Sequence, residues 1–395
     1  MGSTPTPGTT TMSIRTNLRK LRRAMTGYTP LVEVGISKAN LLSNFHSYQT
    51  SYPEMQFAPV LKSNAYGHDI GLVARLLDRE KIAFFMVDSY YEARRLRRAG
   101  VRSRILVMGY VRPEDIAKSR LPNVDFGITD LTQLQTLAKV VRFPTRIHLK
   151  LDTGMHRQGI PFDFISYAED AIKGQPLLTL AGICSHFADA DSEDETFTRG
   201  QVEVWQAAAK ELLLTFPSIE YRHIAATKGI RFGADTGTNV ARIGIGLYGF
   251  DTSPAGTPLQ PVLEVRSLIA SIREVKEGES VGYNATFTAT YPMKIATVPV
   301  GYYEGIDRRL SNKGAMLVKG IVCPIVGRVS MNMCSIDVSN VPEVAPGDEV
   351  VAVSRNPKDP NSVSAITRAV SNSEYKETEY VILVHFAPHL ERIVE

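Results

Sequence analysis

Between about residues 56 and 250, short apolar runs rich in β-branched residues alternate with segments of helical periodicity, and this alternation most constrains the fold. The eight runs are Phe57–Leu61, Ile82–Val87, Arg104–Val107, Val124–Ile128, Ile147–Leu151, Leu180–Ser185, Arg222–Ala225 and Gly244–Tyr248. Intervening segments such as Tyr91–Arg98 and Glu203–Leu214 have the apolar spacing of helices that pack against a sheet. Eight strands connected in this way predict a closed (β/α)8 barrel of the TIM type.

An open, doubly wound parallel sheet is the competing arrangement. That fold needs a Gly-rich turn at the start of its first helix, and the best candidate here, Tyr66-Gly67-His68, is not that motif. We therefore prefer the barrel. Catalytic groups of such barrels lie at the carboxyl ends of the strands, which is where Lys62, Lys150 and His186 fall.

After Pro261 the sequence changes to an alternation of period two, interrupted by Gly, Pro and Asn. The alternating stretches are Leu263–Arg273, Ala296–Val300, Ala315–Ile321 and Val329–Val338. They predict a C-terminal, mostly β domain, and a chain of 395 residues is long enough for two domains. We expect an N-terminal extension over residues 1–26, the barrel over 27–255 and the β domain over 256–395.

The N-terminal extension contains a basic stretch, Ile14–Met25, that could bind a membrane surface or a nucleic acid. Its apolar face is thin, so we favour a short solvated helix. The whole chain has 45 Lys and Arg against 41 Asp and Glu, a net charge of +4, which argues against a nucleic-acid-binding surface.

The three cysteines, Cys184, Cys323 and Cys334, form no close-spaced pair and have no metal-site spacing, so we interpret them as reduced. The first residues lack the apolar run of a secretory signal. These features predict a cytoplasmic enzyme that associates with no membrane and holds no metal.

One lysine, Lys62, closes the first apolar run within the segment Val60–His68. Partial burial at a strand end disfavours the ammonium form and makes a nucleophilic amine available. By itself this pattern is weak, because a lysine that ends a strand is more often solvated, and Tyr66 and His68 could simply cap the next helix.

The segment around Lys62 resembles the cofactor-lysine motif of alanine racemases, and four further segments match that family in the same order. They are Lys150–Arg157, Ser185–Phe187, Ala241–Gly249, and a cluster in the β domain formed by Val281–Thr286, Val300–Gly305 and Gly327–Met331. The resemblance covers roughly residues 30–395. The fold of this family, a barrel followed by a β domain, agrees with the prediction from periodicity.

The resemblance implies racemisation of L- and D-alanine with pyridoxal 5′-phosphate (PLP), which would supply D-alanine for peptidoglycan. Lys62 would hold the cofactor as a Schiff base and would be one of two bases, with Tyr283 as the other. Two opposed bases let each enantiomer lose its proton on one face and regain it on the other. Since an ordinary tyrosine is a poor base at neutral pH, cationic or hydrogen-bonding neighbours are needed, and His186 and Arg242 are suited to that role.

The same resemblance assigns further residues to the cofactor and substrate. Arg242 faces the pyridine nitrogen and, because a guanidinium keeps its proton, leaves that nitrogen largely unprotonated. Arg157 contacts the cofactor's phenolate oxygen and the substrate carboxylate, and Lys150 matches a lysine that is often carbamylated. The remaining cofactor-binding residues are His186 and, for the phosphate, Tyr66, Thr227, Tyr380, Gly244 and Ile245.

Met331 and Tyr302 match substrate-side residues that this family's second subunit contributes, and Tyr283 arrives the same way. This implies a head-to-tail homodimer with two shared active sites. Arg308 would line the entrance near Asp191, although solvated positions are as well supported for both residues.

Two departures from the family pattern bear on the substrate. Met331-Asn332 replaces the usual Met-Asp, which removes a negative charge, and Ala226-Thr227 replaces the usual Asn-Ser. A racemase of broader specificity, for serine or other small amino acids, is therefore an alternative. A related PLP-dependent decarboxylase would present an acidic partner to the pyridine nitrogen, which Arg242 is not, and a non-catalytic PLP carrier would lack the β domain.

Overall fold

The computed structural model describes residues 27–251, 256 and 258–395, so the basic N-terminal extension lies outside the described residues. The chain divides into two compact units. Of the described residues, the β unit contains 27–35, Glu264–Val353 and His389–Ile393, and the barrel unit contains those within Ile36–Leu263, Ser354–Pro388 and Val394–Glu395. The chain thus returns to the barrel unit after residue 353. The predicted domains instead meet at a single boundary, between residues 255 and 256, and that boundary stays a prediction.

Strand β1 (Glu33–Ile36) belongs to the largest sheet of the β unit, and the eight barrel strands follow it. They are β2 (Gln56–Pro59), β3 (Phe85–Val87), β4 (Ile105–Val107), β5 (Val124–Ile128), β6 (Thr145–Lys150), β7 (Leu178–Cys184), β8 (Tyr221–His223) and β9 (Val240–Ile243). Strands β3 to β8 pair in sequence order, all parallel, and β2 pairs with β9. The parallel bridges Val60–Met86 and Ala226–Arg242 join these two sheets on both sides, so the barrel is closed as predicted.

The last predicted strand was placed wrongly. Gly244–Tyr248 was expected to be extended, but the strand is β9 and the following Ile245–Tyr248 forms a 3-10 turn. The glycines explain the difference, because a Cβ on Gly246 would collide with the Tyr48 hydroxyl, and Gly249 has a left-handed φ of 94°. The apolar spacing of this segment therefore reflects close packing of a turn.

Helices of the barrel unit follow most of its strands, and both predicted helices are confirmed. They are Lys38–Ser51, Ile70–Leu77, Tyr90–Arg98, Pro113–Lys118, Leu131–Val140, Ile165–Lys173, Thr196–Thr215, Gly233–Thr236, Val363–Val370 and Glu379–Val384. The helix Tyr90–Arg98 shows how the sequence specifies them: Ser89 and Glu92 form a capping box, and Ala93 and Leu96 are buried on one face.

The β unit contains three groups of strands, in which most neighbouring strands are antiparallel. The strands are β10 (Leu263–Leu268), β11 (Ser271–Val275), β12 (Ser280–Val281), β13 (Phe287–Thr288), β14 (Met293–Val298), β15 (Ala315–Val318), β16 (Ile321–Pro324), β17 (Cys334–Asp337), β18 (Glu349–Val353) and β19 (Glu391–Val394). The largest sheet has the order β16-β15-β18-β10-β1-β19, and the others are β11-β14-β17 and the pair β12-β13. The predicted mostly β C-terminal part is thus confirmed.

Within the described ranges, Cys184, Cys323 and Cys334 are buried free thiols. In the same residues, no helix combines the length and apolar character that a membrane span requires. Three or more His, Cys, Asp or Glu side chains arranged to hold a metal ion are also not found there.

Candidate active site

A cavity of about 700 Å³ opens at the carboxyl ends of the barrel strands. Ten of the predicted site residues line it: Lys62, Tyr66, Lys150, Arg157, His186, Thr227, Arg242, Gly244, Ile245 and Tyr380. Five Lys and Arg but only two Asp are among its lining residues, so the cavity favours an anionic group. The strand ends therefore bring together side chains that are up to about 320 positions apart in sequence.

Lys62 begins an unusual turn directly after β2. Residues 63–66 all have positive φ, between 52° and 56°, a left-handed conformation that costs about 1–2 kcal/mol per residue. The neighbouring helix holds this turn, since Glu92 Oε1 accepts from the Asn64 N–H at 3.3 Å and Arg95 Nη1 donates to Asn64 Oδ1 at 3.1 Å. These contacts fix the backbone that carries Lys62 and Tyr66.

Arg242, on β9, is 4% exposed and its guanidinium is held on several sides. Nη2 donates to the carbonyls of Ser185 and Ile224 at 2.8 and 2.9 Å, and Nη1 donates to the His223 carbonyl. The ring nitrogens Nδ1 of His223 and His186 accept from Nη1 and Nη2, both at 2.9 Å. The Nε–H alone has no partner among the described residues, which leaves one donor for a group in the cavity.

His186 carries no positive charge at neutral pH. Burial, followed by the nearby positive charges of Arg242 and Arg157, lowers its pKa to about 3. Of the two roles that the sequence leaves open for His186, cationic or hydrogen-bonding, the lowered pKa favours the hydrogen-bonding one. Burial also lowers the pKa of Arg242, to about 10, so the guanidinium remains charged at neutral pH.

Hydroxyl groups gather at one side of the cavity. Thr227 Oγ1 accepts from the Gly244 N–H at 3.3 Å, and the rings of Tyr66 and Tyr380 lie 5.6 Å apart. Burial raises the pKa of Tyr66, and burial together with Asp251 and Asp191 raises that of Tyr380 to about 12. Both phenols stay protonated and can donate to an anion.

Close approach of the backbone completes this side of the cavity. A Cβ on Gly244 would lie 2.8 Å from Tyr66 Oη, so only glycine leaves the hydroxyl in place. The combination of protonated hydroxyls, a glycine backbone and an excess of positive charge suits a phosphate, and the free Nε–H of Arg242 suits a ring nitrogen. The residues present therefore fit PLP.

Lys150 Nζ donates to Gln158 Oε1 at 2.9 Å. Burial lowers the pKa of the Lys150 amine, Cys184 opposes this and Arg157 adds to it. Gln158 is not among the predicted site residues, although its position next to Arg157 is a signal that the sequence contains. Asp88 and Tyr110 also line the cavity and were missed; both follow strand ends.

The remaining predicted residues belong to the β unit, where they are exposed. Tyr283 is 67%, Met331 55% and Tyr302 43% exposed. Asn332, at the position where the family usually has Asp, donates through Nδ2 to Glu304 Oε1 at 2.8 Å. Arg308 is exposed in a 3-10 turn, while Asp191 lines the cavity of the barrel unit.

Both units match known proteins in sequence. Residues 36–252 match the family model of the alanine racemase N-terminal domain, and residues 262–394 match that of the C-terminal domain. The chain is 37% identical to an alanine racemase of Syntrophobacter fumaroxidans over 76% of this chain and 81% of that protein. It is 36% identical to an alanine racemase of Sorangium cellulosum over 86% of this chain and 85% of that one.

Among solved structures, an alanine racemase from Clostridium difficile superimposes with a TM-score of 0.84 and 26% identity, covering 93% of this chain and 96% of that chain. The matched segments include both the lysine turn after β2 and the exposed residues of the β unit. The cavity, its lysine and its buried arginine thus occur in a chain that belongs to the alanine racemase family.

Proposed function

We propose that this chain interconverts L- and D-alanine with two opposed bases, Lys62 in the barrel unit and Tyr283 from a second copy of the chain. The reaction is a PLP-dependent racemisation. The observation that carries the proposal is the buried Arg242, whose one free donor, Nε–H, is available to the same cavity as Lys62.

The described residues would hold PLP at three points. Tyr66, Thr227, Tyr380 and the backbone of Gly244 and Ile245 would bind the phosphate. Arg242 would donate to the ring nitrogen, with His186 next to it, and Arg157 would contact the phenolate oxygen and the substrate carboxylate. When bound, the cofactor withdraws electron density from the amino acid's α-carbon and makes its proton acidic.

Each base has a separate task. Lys62 Nζ holds or releases a proton on one face of the substrate, and Tyr283 Oη does so on the other. A single base could exchange a proton on its own face but could not deliver one to the opposite face. Both groups are therefore needed for either direction of the reaction.

A head-to-tail homodimer would bring Tyr283, Tyr302 and Met331 of one copy to the cavity of the other. Large exposed aromatic and methionine side chains are typical of surfaces that another protein covers. The exposure of 67% at Tyr283 supports this assignment, because a base needs a defined position and a solvated side chain has none.

Lys150 is the residue we propose to be carbamylated. Its buried amine, with a lowered pKa, is more readily present in the neutral form that attacks CO2. A bond forms between Nζ and the carbon of CO2, one N–H proton is released, and a cation becomes an anion beside Arg157. The test is native mass spectrometry, in which an added mass of one CO2 that Lys150→Arg lacks is expected.

Asn332 favours a second candidate, a racemase that also accepts serine or other small amino acids. Its amide donates to Glu304, so this position is neutral where the family usually has a carboxylate. Removing that negative charge changes how a polar side chain or a carboxylate of the substrate is received.

The decisive test begins with the purified protein. Borohydride reduction in the presence of PLP, followed by peptide mapping, should place the cofactor on Lys62, and the protein should racemise both alanine enantiomers. Lys210→Ala, on an exposed helix position, is the matched control for Lys62→Ala. Strong turnover of lysine or arginine without turnover of alanine, or label elsewhere than Lys62, would overturn the proposal.

A further inference from the structure

A line of buried polar side chains runs along the interior of the barrel and ends at Arg242. Asp125 on β5, His148 on β6 and His223 on β8 are each fully buried. His148 Nε2 lies 3.3 Å from Asp125 Oδ2, and His148 Nδ1 lies 2.8 Å from His223 Nε2. His223 Nδ1 lies 2.9 Å from Arg242 Nη1, so the line is continuous.

The two ends of this line determine the direction of every hydrogen bond in it. A guanidinium only donates and a carboxylate only accepts. His223 Nδ1 must therefore accept from Arg242, which leaves the proton of a neutral His223 on Nε2. His148 Nδ1 accepts that proton, so His148 carries its own on Nε2 and donates it to Asp125.

The pKa shifts of these groups agree with that direction of the hydrogen bonds. Burial lowers the pKa of His223, as do Arg242 and His148, and burial lowers the pKa of His148 more than Asp125 raises it. Both histidines are therefore neutral. Burial raises the pKa of Asp125, but the hydrogen bond from His148 and the charges of Arg104 and Arg146 outweigh it, so Asp125 is ionised.

Asp125 is anchored at the other end of the barrel. Arg104 Nη1 donates to its Oδ1 at 2.6 Å, and Arg146 Nε lies 3.3 Å from the same oxygen. Arg146 in turn forms two hydrogen bonds with Glu220, at 2.8 and 3.0 Å. Arg146 Nε also lies 3.4 Å from Oδ2, so both carboxylate oxygens are held by arginine and Oδ2 accepts from His148 as well.

The strand next to β6 leaves space for this arrangement. A Cβ on Gly182, in β7, would lie 2.6 Å from His148 Nδ1, so glycine is required where the His148 ring meets His223. The ring of Phe84 lies 5.5 Å from that of His148 and 5.4 Å from that of His223, and excludes other polar partners. Apolar packing therefore holds both rings in the geometry that the hydrogen bonds need.

We propose that Asp125, His148 and His223 form a one-directional chain of hydrogen bonds that orients Arg242 and keeps its Nε–H directed to the cavity, with Asp125 as a positioning residue. The proposal deepens the proposed function, since it rests on Arg242 meeting the cofactor's ring nitrogen. Asp125 touches neither cofactor nor substrate and acts only through the two histidines.

The direct test is the tautomer of each histidine, read from nitrogen-15 NMR of the histidine-labelled protein with and without PLP. His148 and His223 signals are assigned by replacing one histidine at a time. We expect both rings to carry the proton on Nε2 and to have an unprotonated Nδ1. A proton on Nδ1 of His223 in the wild-type protein would overturn the proposal without any variant.

Asp125→Asn gives the sharper perturbation. The amide oxygen is expected to stay on Arg104 and Arg146, which turns the amide N–H toward His148 and makes Nε2 of that ring an acceptor. The His148 proton should then move to Nδ1, and affinity for PLP should fall about tenfold, as for other residues that orient a ligand-binding group. Unchanged tautomers and unchanged PLP affinity in this variant would contradict the proposal.

Two further variants separate this role from general stability. Glu220→Gln removes the charge and one of the two acceptors that Arg146 uses but leaves Asp125 facing His148, so the tautomers should not change. Gly182→Ala displaces His148 and should weaken PLP binding as Asp125→Asn does. Wild-type affinity for PLP in Gly182→Ala would contradict the proposed chain of hydrogen bonds. The tautomers are measured without substrate. If they were as expected but the protein did not racemise alanine, the proposed function would be overturned and the hydrogen-bond chain would not.

Discussion

The predicted site residues of the barrel unit and those of the β unit differ in how they are held. Arg242 is 4% exposed and bonded to three carbonyls and two histidines, whereas Tyr283 is 67% exposed. The barrel half of the site is thus organised within one chain, while the β half needs another surface to define its geometry. Changes in the first half should affect both stability and activity, and changes in the second should affect activity alone.

The largest effect is expected at Tyr283. Tyr283→Phe removes one base and should lower alanine racemisation about 10³-fold in both directions. Because the side chain is exposed, its free energy of unfolding as a monomer should change by less than about 0.5 kcal/mol. Chiral chromatography and denaturant titration measure the two quantities, and Tyr375→Phe, at another exposed tyrosine, is the control.

If Tyr283→Phe lowered the free energy of unfolding well beyond this limit, the contrast between the barrel half and the β half of the site would be wrong. Retained exchange of the α-proton with solvent deuterium, without inversion, is the specific result we expect. Lys62 alone can exchange a proton on its own face.

A loss of stability is expected at Arg242. Arg242→Ala leaves the buried carbonyls of Ser185 and Ile224 without a donor, whereas the His223 carbonyl keeps the Ser185 N–H at 3.3 Å. The free energy of unfolding should fall by about 3 kcal/mol, even without PLP. Arg222→Ala removes one exposed hydrogen bond, to the Gly237 carbonyl at 3.0 Å, and should cost less than about 1 kcal/mol. Equal losses in the two variants would show that the Arg242 contacts do not hold the barrel half.

A smaller effect is expected at the phosphate side. In Gly244→Ala the new Cβ would lie 2.8 Å from Tyr66 Oη, and affinity for PLP should fall about tenfold, measured by fluorescence titration. Gly200→Ala is the matched control, since its Cβ meets nothing within 4 Å. Equal affinity for PLP in both variants would show that the phosphate does not bind at this side of the cavity.

At neutral pH His186 should give the smallest effect, because its contribution is to the pH dependence of stability at lower pH. The pKa of His186 falls from its ordinary value of 6.5 to about 3 on folding, so below pH 6.5 the unfolded chain binds a proton that the folded protein refuses. The stabilisation is complete above pH 6.5 and is lost progressively as pH falls towards 3. His186→Asn should lower the slope of unfolding free energy against pH, below pH 6.5, by up to about 1.4 kcal/mol per unit.

The positions of Lys62, Lys150 and His186 in the cavity could be predicted from sequence, because parallel strands of a barrel all end at one rim. The family resemblance added Thr227, Tyr380 and the residues of the β unit, which no periodicity indicates. The left-handed turn after Lys62 could not be predicted, since Ser63, Asn64 and Ala65 do not require it and contacts with Glu92, Arg95 and the start of the next helix hold it.

Long-range contacts were the other part that sequence could not give. Asp125, His148 and His223 lie on three strands of one parallel sheet, and contacts across 23 and 75 positions join them only in the folded chain. The neutral state of His186 likewise depends on its burial beside Arg242, which motif matching does not measure. The sequence pattern therefore predicts which helices and strands form, whereas tertiary packing determines the contacts and the charge of each side chain.

The central claim, a site shared between two copies, is tested most directly by mixing two inactive variants. Lys62→Ala and Tyr283→Phe proteins are unfolded together and refolded at equal concentration. Half of the dimers should be mixed, each with one intact site, so about a quarter of the wild-type activity should return. If no activity returned although mixed dimers had formed, Lys62 and Tyr283 would have to act within one chain, which would contradict the account.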